Sequence, residues 1–178
     1  MTVTADWIDH WAARYDTDAD NEVLNEVGPR VRTRGCYDHD DLLTVGRWKT
    51  PRVLSRLASN TDEMIHDITA TALSAPFPIQ HLVLTLLNGV LVPVASSMLM
   101  VWKPEDHTVI DVRAVKSLVA NKEMPEPSAK SYPPYMDYLS VCRAISERCS
   151  RSLRTVDRAL YQANGSTRMK LADTDGRM

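Results

Sequence analysis

Apolar positions along this chain recur at helical spacing, and that period predicts helices from one end to the other. Trp7, Ile8, Trp11, Ala12 and Tyr15 form the first stripe, opened by a capping Thr4; Trp7, Trp11 and Tyr15 are expected to face the core or, in the alternative, a dimer seam. Val23, Leu24, Val27 and Val31 mark a second helix, bent or broken where Pro29 removes a backbone donor and stopped at Gly35. A third starts at Asp38, carries Leu42, Leu43 and Val45, and ends near Gly46-Arg47-Trp48-Lys49-Thr50-Pro51. A short fourth carries Val53, Leu54 and Leu57. For the fifth, Asn60 followed by Glu63 predicts a capping-box start, with Met64, Ile65, Ile68, Ala72 and Leu73 as its core face. Pro76 and Pro78 end it.

Residues 79–102 are the most apolar part: a helix through Leu87, a break at Asn88-Gly89, and a second helix through Trp102. Thr108-Val109-Ile110-Asp111-Val112 has strand composition but no partner run, so it reads as an extended link into a helix over 112–119. Pro125, Pro127, Pro133 and Pro134 mark an exposed loop over 121–134. Two final helices are expected, from Tyr135 to Arg148 and from Ser152 to Ala163, with a fraying polar tail over 166–178. The fold class that follows is all-α. The organisation expected is a compact bundle in one domain over 1–165, with acidic helices over 1–41 and the apolar hairpin over 79–119.

The chain has 178 residues, 44% hydrophobic and 25% charged, which is enough apolar material for a core of its own. Six Gly and ten Pro exclude a collagenous or low-complexity chain. Polar residues interrupt every apolar stretch before it reaches a bilayer's width, and no basic-then-apolar leader pattern opens the sequence. A cytoplasmic protein without membrane contact is therefore expected. Cys36, Cys142 and Cys149 include no C-x-x-C, which excludes a disulfide scaffold and a four-thiolate metal centre within the chain. His10, His39, His66, His81 and His107 stand far apart, so no metal and no cofactor is expected; His66 and His81 are assigned no role.

Charge changes the picture more. The net charge of −2 conceals ten carboxylates against four Arg in residues 1–41, and seventeen Lys or Arg against thirteen carboxylates beyond. The split fits a polyanion-binding main body, with the acidic N-terminal face available to a protein partner.

The segment Leu86-Leu87-Asn88-Gly89-Val90-Leu91-Val92-Pro93-Val94-Ala95, followed some twenty residues on by Ile110-Asp111-Val112-Arg113, resembles the helix-hairpin-helix DNA glycosylase superfamily. There a hairpin of the type L-x-G-V-G-x-x-x-A precedes a V-D-x-x-V-like segment. The resemblance covers mainly residues 79–119, with a weaker echo to about residue 163. It implies that Gly89, Val90, Leu91 and Val92 hold a backbone phosphate of duplex DNA, with Arg113 assisting. It also makes Asp111 the candidate catalytic carboxylate, stabilising an oxocarbenium-like sugar or activating a water. Three departures stand in this sequence. Leu91 replaces the second glycine, Pro93 occupies the place of the Schiff-base lysine, and the four-cysteine cluster is absent. Imine chemistry at that place is excluded, whereas monofunctional N-glycosidic hydrolysis is not. The blocks 46–52, 108–114 and 153–161 also resemble a widespread group of small bacterial proteins, which imports no activity.

Each feature has a plainer reading. Gly89 serves as an ordinary helix C-cap, and Asp111 as the N-cap of the next helix. Arg47, Lys49, Arg52 and Arg56 contact phosphates with Trp48 stacking on a base, or they are solvated cations around a core tryptophan. Arg143, Arg148, Arg151, Arg154 and Arg158 form a second basic set, with Arg151, Arg154 and Arg158 on one helical face; they line a nucleic-acid surface, or Glu147 and Asp157 pair with them in a salt network. Cys142 and Cys149 are buried small hydrophobes. The leading expectation is a DNA-binding protein of glycosylase type. The alternatives are a non-catalytic helical module that binds DNA or protein, and a component of a bacterial or phage defence system.

Overall fold

The computed structural model describes residues 2–128 and 132–172, with side chains as far as residue 164. Regular structure among the described residues is helical throughout, as the period predicts, with no strand. In chain order it comprises α1 (Ala5–Ala12), a 3-10 turn (Thr17–Asp20), a π-turn (Val23–Val27), α2 (Gly28–Arg34), α3 (His39–Lys49), a 3-10 turn (Pro51–Val53), α4 (Leu54–Leu57), α5 (Asp62–Ser74), a 3-10 turn (Phe77–Ile79), α6 (Gln80–Leu84), α7 (Val92–Trp102), α8 (Val112–Ala120), α9 (Tyr135–Cys149) and α10 (Leu153–Ala172). The chain divides into two compact units: a central one over 16–109 and a terminal one built from 1–15 and 110–178.

In the central unit the second helix is not interrupted at Pro29, but its winding changes beside it. The chain winds as a π-helix over Val23–Val27, with Gly28 N–H bonded to Val23 O, and passes directly into α2, where Pro29 supplies no backbone donor. A Cβ on Gly28 would lie 2.6 Å from the Val101 carbonyl oxygen, so only glycine permits α2 this close to α7. Arg32 reaches across the same contact and donates to the last carbonyl of α7, that of Trp102, at 2.9 Å. Tyr37 is buried. Its hydroxyl donates to the Met98 carbonyl at 2.7 Å and its N–H to Thr69 Oγ1 at 2.9 Å, tying α7 and α5 to the start of α3.

Asp38 caps α3 as expected, accepting from Asp41 N–H at 2.8 Å. The start of α5 differs from the expected one. Thr61 is its N-cap and accepts from Met64 N–H at 3.2 Å, while Asn60 is buried and engaged elsewhere. Ile65, Ala72 and Leu73 face the core, but Met64 looks out at 43% exposure. Helix α5 turns outward there because a helix on the rim of a unit buries one stripe only.

In the terminal unit α10 packs against α1, α8 and α9. Thr4 caps α1 through the N–H of Trp7. Ile8 is the residue of α1 that reaches the core; Trp7, Trp11 and Tyr15, expected inside, are half-buried. Their rings lie along the rim of the α1 contact, where an amphipathic aromatic covers apolar surface and keeps one edge wet. Ser117 Oγ donates to the Leu160 carbonyl at 2.7 Å, pinning α8 to α10. Cys142 and Cys149 are buried along α9, and burial pushes the Cys142 thiol far up, which leaves it unreactive. Helix α10 continues past Gly165 to Ala172; an interior glycine lowers helix stability by only about 1 kcal/mol. Residues 173–178, the end of the expected tail, lie outside the described residues. No helix among the described residues is long and apolar enough to cross a membrane.

Candidate nucleic-acid interface

The turn and flanking helices over 79–102 lie in the central unit, whereas residues 110–119, the end of the element expected over 79–119, belong to the terminal unit. Turn bonds from Thr85, Leu86 and Leu87 N–H to the carbonyls three residues back carry the helical path of α6 as far as Leu87. Gly89 then adopts φ +85°, a left-handed conformation in which glycine is favoured. A Cβ there would stand 2.8 Å from Arg56 Cβ and 3.2 Å from Leu57 N, so the turn presses directly on α4. Val90 is buried and anchors the far side of the turn.

Asn60 sets the turn. Its Oδ1 accepts from Asn88 N–H at 2.8 Å, and its Nδ2 donates to Asn88 O at 3.0 Å and to Leu57 O at 2.9 Å. Asn88 Nδ2 in turn donates to Ser59 Oγ at 2.7 Å. The result is a rigid bend between α4 and α7. Leu91 occupies the N-cap position of α7, Val92 begins the helix half-buried, and no side chain caps it. Among the described residues, no side chain accepts from the free N–H groups at the positive end of the α7 dipole as a cap.

Arg56 stands beside this bend, and two further arginines precede it in the chain. Arg47 on the last turn of α3, Arg52 in the following 3-10 turn and Arg56 in α4 are all exposed. None of the three makes an ion pair with a described residue. In the same unit Arg30 and Arg34 both bind the buried Asp41. Arg52 and Arg56 stand four apart, either side of the start of α4. Lys49 and Trp48 are half-buried at the end of α3.

Asp111 and Arg113 belong to the terminal unit. Asp111 is the N-cap of α8, with Oδ1 accepting from Arg113 N–H at 2.8 Å. Its carboxylate also influences Tyr132, whose phenol is pushed up first by burial and then by that negative charge. The Arg113 guanidinium lies over the Tyr161 ring, 4.7 Å from its centroid. Tyr161 meets Tyr15 edge-on at 6.1 Å, and Arg154 and Arg158 stack on Tyr15 at 5.4 and 5.6 Å. Arg154 pairs with buried Asp157, and Arg151 forks onto Asp9 rather than Glu147, at 2.7 and 2.6 Å. Arg113, Arg151, Arg154 and Arg158 are thus built into a cation–aromatic and ion-pair network that joins α1, α8 and α10.

Two of the groups that shape these sites were not legible as such. Asn60 carries a helix-start signal in sequence yet acts 28 residues away, and nothing local announces Tyr161 as the seat of Arg113. Among the described residues no group of three or more His, Cys, Asp or Glu is arranged to hold a metal ion. No family model matches the chain, and no curated protein or solved structure matches it either.

Proposed function

We propose that this chain is a duplex-DNA-binding protein of helix-hairpin-helix type, with the Gly89 turn and Arg47, Lys49, Arg52 and Arg56 on the phosphodiester backbone. One observation carries the reading: Arg56 packs on the Gly89 turn, without a carboxylate partner among the described residues, ahead of a helix start that no side chain caps. A phosphate group supplies what both lack, a counter-charge for the guanidinium and an anion at the dipole. A cytoplasmic location and a role in DNA repair accompany that substrate.

Hydrolysis of an N-glycosidic bond is the finer part of the proposal, and it rests on Asp111. The carboxylate holds the start of α8 through one oxygen, which also fixes its orientation. In the reaction the resemblance implies, the same group stabilises positive charge on the sugar or takes a proton from the attacking water. Arg113 is proposed as a phosphate contact.

Duplex binding by the wild type and by the Arg52→Ala/Arg56→Ala double variant, measured across a salt series, tests the reading. The salt slope should shrink by about one for each phosphate contact removed. An unchanged slope in a folded variant ends it.

A second reading, a non-catalytic helical module, is favoured by Leu91. It is 71% exposed at the place where the resembled hairpin has its second glycine, and a leucine there obstructs close phosphate approach. Duplex retention without base release from any damaged duplex selects this reading.

A further inference from the structure

We propose that Asn88 is a deamidation site that the Asn60 clamp holds shut. Asn88 is exposed, and Gly89 after it carries no side chain to shield its nitrogen from the Asn88 amide. The reaction open to such a pair is intramolecular. Gly89 N bonds to Asn88 Cγ, the Cγ–Nδ2 bond breaks, and the Gly89 proton leaves with the amide nitrogen as ammonia. Water then opens the five-membered imide at either carbonyl. The product is aspartate, or isoaspartate with the main chain lengthened by one carbon. Nothing is oxidised or reduced, and water is the one co-reactant. The conversion is one-way and leaves a carboxylate in the bend that leads into α7.

The native turn blocks ring closure. Val90 N–H bonds to Leu87 O at 3.1 Å, Gly89 has φ +85°, and Asn88 is not among the residues with positive φ. That combination is a type II turn, in which the residue before the glycine is extended and the next peptide nitrogen points away from its Cβ. Closure requires that nitrogen to swing round to the Cβ side. Gly89 N and Asn88 O share one rigid peptide plane, so the swing carries Asn88 O off the Asn60 Nδ2 that donates to it at 3.0 Å. Asn60 Oδ1 holds the preceding plane through Asn88 N–H at 2.8 Å, and Ser59 Oγ holds the side-chain amide at 2.7 Å. The close approach of Gly89 to Arg56 and Leu57 leaves the plane little room to turn. Asn88 therefore reacts only when the clamp opens, and its conversion counts those openings.

The test incubates the full chain at mildly alkaline pH and follows position 88 by peptide mapping that separates asparagine, aspartate and isoaspartate. Asn164-Gly165 repeats the dipeptide in the sequence, and the mapping reads the two apart. Wild type should convert at Asn88 more slowly when native than when unfolded in urea. Asn60→Ala should speed native conversion by at least about tenfold, because opening no longer breaks the two bonds to Asn88. Tyr37→Phe loses a buried hydrogen bond elsewhere in the same unit and should leave the rate near that of wild type. Circular dichroism checks that each variant keeps its helices. Equal rates in native and unfolded wild type overturn the proposal, since the dipeptide alone then sets the rate. So does a folded Asn60→Ala that converts no faster, or an equal acceleration by Tyr37→Phe, which places the reaction in global unfolding. If Asn60→Ala does not fold, Ser59→Ala at its exposed position decides: conversion should speed up, and an unchanged rate overturns the gate. No nucleic acid enters the measurement, so its outcome and that of the duplex-binding reading stand apart.

Discussion

Asn60 holds Asn88 by both of its backbone groups, accepting the N–H at 2.8 Å and donating to the carbonyl at 3.0 Å. A buried primary amide is the side chain that can do this, since it offers an acceptor and two donors on one planar group. The bend at Gly89 is thereby fixed from outside, by α4, and not by its own turn bonds alone.

Asn60→Ala should lower stability by about 1–3 kcal/mol, because it removes two part-buried bonds to Asn88 and leaves the buried Leu57 carbonyl without its side-chain donor. Thermal denaturation measures the loss. A shift confined to a few tenths of a kcal/mol would mean that the bend holds without the amide.

Asp111 separates capping from chemistry by a choice of two variants. Asparagine caps helices about as well as aspartate, so Asp111→Asn should stay within a few tenths of a kcal/mol of wild type, whereas Asp111→Ala should lose about 1 kcal/mol. If the carboxylate acts in hydrolysis, Asp111→Asn abolishes base release from damaged duplexes at nearly unchanged melting temperature. Equal base release by wild type and Asp111→Asn rules out that role.

Arg154 and Asp157 form a buried pair one helical turn apart on α10. Removing one member leaves the other charged and dehydrated, so Asp157→Ala should destabilise by about 3–5 kcal/mol. Replacing both residues with leucine should recover much of that loss. Denaturant titration of the two variants decides it, and a double variant as unstable as Asp157→Ala contradicts the account.

Acid should weaken the fold in two stages. Burial holds His81 below the usual histidine range. The Arg151 guanidinium that donates to Asp9 holds its carboxyl low. At Asp38 burial pushes upward but is outweighed by the Asp41 N–H and Arg34. Each group binds its proton less readily folded than unfolded. The stability they confer is thus present above the unfolded values, about 6.5 for His and about 3.9 for Asp, and is lost as pH falls through the lower folded ones. Melting temperature should decline gently below about pH 6.5 and steeply below about pH 4. Asp38→Asn keeps a capping side chain without the charge and should make the acid limb shallower. An acid limb identical to that of the wild type would count against this assignment.

Much of this architecture was legible in the order of residues. Thr4, Asp38 and Asp111 each sit one residue ahead of a helical stripe, and each caps the helix that follows. A cap acts over two or three residues, so sequence proximity suffices to read it. Asn60 misled for the same reason. Asn60 and Thr61 both suit a helix start, and only the neighbouring Asn88 turn draws the first of them away. Pro29 announces an irregularity in the second helix but not its form, a change from π to α winding that leaves the helical path continuous.

What this sequence determined alone was local. Helical period, capping residues and left-handed glycine at position 89 follow from forces acting over a few residues, so an all-α chain with a bend before Val92 was already specified. The tertiary structure decided which face of each helix is covered, and with it the meaning of the apolar residues. Ile79, Leu82 and Leu86 carry the same hydrophobic signal as Leu84 and Leu87, yet the first three face solvent. It also decided which cations are paired: Arg151 meets Asp9 from 142 residues away, whereas Arg56 meets no carboxylate among the described residues. Burial and charge pairing are relations between distant segments, and they exist only once those segments have met.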